Sequence, residues 1–305
     1  MGKSINAPTS PEPGAERILL GIGSVALGAV GFGFLPLFLY WGYSGGLTPE
    51  TGLLWRYGGG LLLMAPAMLV LGARAWHYSG RAFCAGLAMG VGTVSLFHSY
   101  ASLPVTLVIL IFYTYPAFTL IFGRAFFGKP MTPRLLGAVI LVLLAAALIV
   151  RPDADQGITV GLLLFAFLGP MGFAGYLTLA AEIGPATHMA ARINGVNLGA
   201  LAVALPVSLA VLDTVVPNAP AGWLGAVCLA LVTGVMSNAF NLFGAALAGG
   251  ARAAIAGSAE LVTALLIGVL VFAEPFAWPY LVSAVLLLAA IGLSLPRRLV
   301  PETSA

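Results

Sequence analysis

The sequence has very little charge. Asp, Glu, Lys and Arg together make up 8% of its 305 residues, about a third of their usual share in a water-soluble globular protein. Hydrophobic residues account for 60% and the mean hydropathy is +1.05, so there is too little polar surface to cover a fold in water. Cysteine is scarce too. Cys84 and Cys228 sit in separate apolar runs without metal-ligand spacing, which excludes a disulfide framework and reads as membrane-buried packing thiols. Catalytic signatures are missing: there is no G-x-S-x-G, no H-E-x-x-H and no carboxylate pair, and the glycine-rich starts of several runs lack the Lys-Ser/Thr of a phosphate loop. Ser95 and His98, three apart on one helix face, are the only pair an intramembrane hydrolase could use. The chain is read as a non-enzyme without metal or cofactor. A pI near 9.0 raises nucleic acid as a partner, but the basic residues are single charges spread along the chain rather than a patch.

What is present is a series of apolar stretches of bilayer-crossing length. Ten spans are expected, at 18–40, 52–72, 82–100, 105–123, 134–150, 158–180, 190–212, 222–246, 253–273 and 276–295. The first is too long for a signal h-region and has no small-residue cleavage site, so it reads as a retained helix. Residues 1–16, rich in Pro, Ser, Glu and Gly, and residues 296–305 read as tails, the first of them unstructured. The 39 glycines and 20 prolines lie largely inside the apolar runs, where Gly permits close helix contact and Pro bends. With both termini cytoplasmic, the inside loops hold Lys3, Arg17, Arg74, Arg81, Arg124, Lys129, Arg134, Arg192, Arg252, Arg297 and Arg298. The outside loops hold only Arg151, beside Asp153 and Asp155, and Arg56 falls within the second span. Adding or losing one span would invert the later loops and destroy this bias, so the positive-inside rule supports the count. The expected location is a bacterial inner membrane, multi-pass.

Two segments align at an offset of 145 residues: YPAFTLIFGRAFFGKPMTPRLLGAVILVLLAAALIV from Tyr115 and ELVTALLIGVLVFAEPFAWPYLVSAVLLLAAIGLSL from Glu260. Lys129-Pro130 falls on Glu274-Pro275. The expected fold is therefore all-α, ten transmembrane helices as two five-helix repeats over 18–150 and 158–295. Because five is odd, the second repeat enters the membrane from the opposite side. Such inverted repeats can form a cavity at their interface and exchange inward-open and outward-open states.

Polar residues at depth are the candidates for lining that cavity. Glu260, a carboxylate in the middle of the ninth span, should face a cavity or a partner or be protonated for part of a cycle. Arg56 offers bidentate recognition of an anion, or reaches the outer headgroups within an aromatic belt beside Trp55 and Tyr57. His98 could titrate during transport or hold a local hydrogen bond. Tyr113 and Tyr115, two apart, must point to different faces, so one lines a cavity while the other packs or bonds across helices. Asn194 with Asn197, and Asn238 with Asn241, share faces at a spacing of three; interhelical amide bonds account for both pairs without a substrate. Tyr176 is a weaker candidate, as are Ser95 and Trp223. Glu260 and His98 are the candidates for proton coupling. The expected partners are the lipid bilayer and a small-molecule substrate, with protons a candidate for coupling; the sequence leaves oligomeric state open and a monomer is compatible with it.

These features resemble the EamA-type members of the drug/metabolite transporter superfamily. The resemblance covers nearly all of 18–295 and is clearest at the end of each half, where proline, an apolar run, a loop glutamate and a second glycine-bearing apolar run recur. Glu260 stands at the family's acidic position and Glu274 at its loop glutamate. There are two departures: Lys129 replaces the loop glutamate of the first half, and Leu261 replaces the second-half proline, implying that this helix lacks the family's bend. The resemblance implies a secondary transporter of small organic solutes, often an exporter. Amino acids or related zwitterions are the leading class, with Glu260 engaging a cationic group and Arg56 or His98 an anionic one. Cationic drugs, cofactors or nucleotide-related metabolites are the alternative cargo, and a passive channel or non-transporting scaffold the alternative of another class.

Overall fold

The computed structural model describes residues 14–72, 80–103, 105–149, 159–184, 187–273 and 277–296. Lys3, Arg74, Pro104, Arg151, Asp153, Asp155, Glu274, Pro275, Arg297 and Arg298 lie outside the described residues, with most of both tails. Among the described residues, ten helices follow one another: α1 (Ala15–Ser44), α2 (Pro49–Leu71), α3 (Gly80–Ser99), α4 (Leu107–Phe127), α5 (Pro133–Leu148), α6 (Val160–Ala180), α7 (Met189–Ser208), α8 (Pro220–Ala248), α9 (Gly250–Leu270) and α10 (Trp278–Ser294). Eight are long and apolar enough to cross a bilayer, and α5 and α10 are shorter apolar helices. Helix α1 begins inside the stretch expected as a tail, with Glu16 in its first turn, where a carboxylate complements the helix dipole.

Large apolar side chains such as Leu69, Val70, Phe126 and Leu270 point outward, while alanine, glycine and serine fill many interior positions. That inversion suits lipid, where helices gain little from the hydrophobic effect and associate through close packing of small residues. The tightest approaches show it. A Cβ at Gly21 of α1 would lie 2.8 Å from the Gly244 carbonyl oxygen of α8, and one at Gly92 of α3 would lie 2.8 Å from that of Gly169 in α6.

The major packing pairs join the halves. Helix α3 packs on α6 and α7, α8 packs on α1 and α2, α4 meets α9, and α5 meets α10. Exchanging each helix for the one five places along the chain returns the same set of pairs, the contact pattern expected of two inverted repeats.

Three helices are interrupted near mid-length. In α1 the break is at Phe34, where Pro36 cannot donate to the Phe32 carbonyl. In α4 it is at Tyr113-Thr114, where Pro116 cannot donate to the Phe112 carbonyl. Helix α9 breaks at Ser258 without any proline, the Ser258 N–H bonding the Ile255 carbonyl three residues back. Helix α9 thus lacks a proline at Leu261, as expected, yet its helical hydrogen bonding is interrupted at Ser258. Two further helices carry π-helical segments, Trp55–Gly59 in α2 and Leu229–Met236 in α8, and these pack against each other.

Candidate functional site

A cavity of about 600 Å³ lies among α1, α2, α3, α4, α6 and α9. It runs from Glu260 in mid-bundle to Tyr40, Tyr43 and Pro49, at the end of the bundle opposite the first residues of α1. The three helix breaks border it. Phe32 and Phe112, whose carbonyls the prolines leave without their usual donor, line it, and Glu260 follows the Ser258 break. Phe173 of α6 completes an aromatic wall, its ring 5.6 Å from that of Phe112 and 6.4 Å from that of Phe32.

Glu260 sits in the first turn of the half-helix Ala259–Leu270. Its own helix N-terminus offsets part of the cost of a carboxylate at this depth, by about 0.3–1 kcal/mol. The Tyr113 hydroxyl donates to its Oε1 at 3.4 Å, longer than the roughly 2.5–2.7 Å of a strong hydroxyl–carboxylate bond. Arg56 comes from the π-helical segment of α2 and is 5% exposed. Its guanidinium lies over the rings of Phe32 at 5.2 Å and Tyr57 at 5.3 Å, and its Nε has no hydrogen-bond partner. Cation–π contacts are worth about 0.5–2 kcal/mol each, while a guanidinium at membrane mid-depth costs about 2.5–3.5 kcal/mol or more. The rings offset only part of that cost. Ion pairs within 4 Å among the described residues are His98 with Glu50 and Lys129 with Glu182. Arg56 and Glu260 therefore line one cavity from separate helices without closing on each other.

Of the two tyrosines, Tyr113 lines the cavity. Tyr115 is fully buried, and its hydroxyl is 3.5 Å from the Ser258 hydroxyl across the α4–α9 contact. Beneath the cavity Tyr115, Phe173 and Tyr176 pack in series, the first pair edge-to-face and the second tilted, with centroids 4.9 and 5.7 Å apart. The Tyr176 hydroxyl donates to Asn238 Oδ1 at 3.2 Å, and Asn238 Nδ2 reaches Asn197 Oδ1 at 3.4 Å. Both amides also donate to the Gly234 carbonyl at 3.0 Å. Asn241 bonds back to the Ser237 carbonyl at 3.1 Å. Asn194 is buried with Nδ2 unpartnered. None of these amides lines the cavity. His98 lies near the cavity-opening end, its Nδ1 2.9 Å from the Val94 carbonyl oxygen and its Nε2 3.9 Å from Glu50.

Several cavity residues escape a reading based on polarity. Phe32, Phe112 and Phe173 look like lipid-facing residues in a linear sequence; the signal for two of them is a proline four residues on, and for the third the Gly169-Pro170-Met171-Gly172 run just before it. Thr93 lines the cavity and holds the buried Tyr57 hydroxyl at 2.7 Å. Glu50, opposite His98, was not anticipated. Among the described residues no group of three or more His, Cys, Asp or Glu could hold a metal ion.

A ten-helix bundle with exchange-symmetric packing and a half-open cavity at its broken helices invites comparison with known transporters, and the match is in the N-terminal half. Residues 19–151 match the EamA-like transporter family. A solved crystal structure of another protein is similar over 92% of this chain and 96% of its own, with a TM-score of 0.71 at 15% identity, a likeness of fold alone. No curated protein matches the chain. The family match thus covers the first half of the chain, and the structural likeness adds a shared fold for the whole of it, that of an all-α, multi-pass membrane protein.

Proposed function

We propose that the protein is a secondary transporter of small organic metabolites that works by alternating access between two five-helix repeats, 18–150 and 158–295. The observation that carries this reading is one cavity at mid-depth, bordered by three broken helices, with Arg56 and Glu260 on its walls and aromatic rings between. Discontinuous helices around a midplane cavity are a recurring way to bind a solute in carriers. A solute with a carboxylate and an amine would satisfy both charges at once, so amino acids or related zwitterions are the favoured cargo. Glu260 engages the amine, Arg56 the carboxylate, and Tyr113 the space between them.

In this reading the protein lies in a bacterial inner membrane, and the positive-inside distribution supports cytoplasmic termini, with this cavity open to the outside. Export then requires the opposite state, with the aromatic series and the amides around Asn238 parting. Glu260 remains the group through which protons would couple. A continuous channel is disfavoured by that same closed series.

Uptake into proteoliposomes of an amino acid and of a quaternary amine separates the readings. For a zwitterion carrier, Arg56→Gln and Glu260→Gln each abolish amino-acid transport. For a carrier of cations, Glu260→Gln alone abolishes transport of the amine. Retention of all transport by both variants would remove the charges from the mechanism.

A further inference from the structure

Arg56 is held in place from the neighbouring helix. Its π-helical segment in α2 lies against the π-helical segment of α8. At their closest approach Gly234 abuts the Arg56 carbonyl so tightly that a Cβ at Gly234 would overlap it. A π-helical turn departs from the regular i to i+4 pattern: after the α8 segment, the Ser237 N–H reaches Val232, five residues back. The Gly234 carbonyl receives two side-chain amides, Asn238 from its own helix and Asn197 from α7, both at 3.0 Å. Asn197 also packs on α2 itself, where a Cβ at Gly60 would lie 2.8 Å from its Nδ2. The Tyr176 hydroxyl in turn fixes the orientation of Asn238. A buried carbonyl without donors is strongly disfavoured in a membrane interior, so this arrangement keeps the α8 segment in one register against Arg56.

We propose that Asn197 and Asn238 are positioning residues for Arg56, clamping Gly234 so that the guanidinium faces the cavity. This rests on the reading of Arg56 as a cavity-binding group, and it assigns the two amides a role although neither reaches the cavity. The amides act through the backbone of α8 on the backbone of α2. The arrangement also explains why two asparagines more than two helical turns from either end of their helices are spent on a single carbonyl.

The test reads position directly and needs no substrate. Cys84 and Cys228 are replaced by alanine, Arg56 by cysteine, and modification by the anionic thiol reagent MTSES is timed in reconstituted protein. Phe112→Cys, on the same cavity wall but a different helix, is the reference. We expect Cys at position 56 to react readily, and Asn238→Ala or Gly234→Ala to slow it by about tenfold, the equilibrium worth of one or two net hydrogen bonds, with the rate at position 112 unchanged. Gly234→Ala perturbs the contact without touching the amides, so it separates the clamp from any other role of Asn238. Unchanged rates at 56 in both backgrounds overturn the proposal. Equal slowing at 56 and 112 also overturns it, because the amides would then support the bundle in general. Absence of labelling at 56 in the parent would refute the cavity reading of Arg56 instead, a distinguishable failure.

Discussion

Replacing Gly92 and Gly23 by alanine, one at a time, is the same chemical change in two environments, and the structure expects opposite consequences. At Gly23 in α1 an added Cβ meets nothing within 4 Å. Only the intrinsic preference of a helix for alanine over glycine acts there, about 0.5–1 kcal/mol in favour. At Gly92 the added Cβ would stand 2.8 Å from the Gly169 carbonyl oxygen, 3.0 Å from the Phe173 nitrogen and 3.1 Å from the Gly172 Cα. All three are backbone atoms, so no side chain can swing aside. Helices α3 and α6 must separate by about half an ångström, a gap that forfeits roughly a quarter of each contact's dispersion energy. Overpacking of this kind costs about 1–3 kcal/mol. The helix-propensity gain is common to both substitutions, so the difference between them isolates the packing cost. Reversible unfolding in mixed micelles should separate the two variants by about 1–3 kcal/mol, roughly 5- to 150-fold in the folding equilibrium. Variants within about 0.5 kcal/mol of each other would refute the close α3–α6 approach.

Other sites respond in graded ways. Tyr57→Phe deletes the 2.7 Å bond to Thr93, yet Thr93 keeps its bond to the Met89 carbonyl; the expected loss in the same unfolding assay is about 0.5–1.5 kcal/mol. Tyr115→Phe removes only a 3.5 Å contact with Ser258 and should cost less than Tyr57→Phe. Lys129 and Glu182 form a 2.7 Å pair in which the lysine is more than half exposed, so Lys129→Ala should cost under about 1 kcal/mol, with an effect that shrinks as salt is raised. Tyr113→Phe removes the donor to Glu260 and leaves a carboxylate in the cavity wall without it; transport should fall while the unfolding midpoint moves little.

The ten helices and their exchange-symmetric pairing were legible because hydropathy, basic-residue placement and the 145-residue offset all report on the bilayer, a solvent whose demands act locally along the chain. The same offset pairs the structural breaks: Thr114 of α4 and Ser258 of α9 fall within one residue of equivalence. Tyr113 and Tyr115 were expected to divide between cavity and packing on helical periodicity; in the structure the helix break at Tyr113-Thr114 separates them as well. Less legible was what depends on a second helix. The π-helical segments of α2 and α8 exist where two backbones meet, and their residues carry no periodic mark of it. Asn197 and Asn238 were visible as polar residues at depth, but their target is a carbonyl, which sequence does not display. The cavity's aromatic wall was hidden because Phe32, Phe112 and Phe173 are as suited to lipid as to a binding site. Ser258 breaks α9 where a proline rule found no reason for a bend, because hydrogen bonding three residues back interrupts a helix without one.

Alternating access is the central claim, and counterflow tests it most directly. Proteoliposomes loaded with a high concentration of unlabelled amino acid are diluted into a trace of the same amino acid, radiolabelled. A carrier with one cavity exposed to one side at a time accumulates label transiently above equilibrium and saturates with external concentration, and Glu260→Gln loses both behaviours. Label that only equilibrates, linearly with concentration and unchanged in Glu260→Gln, would contradict the account.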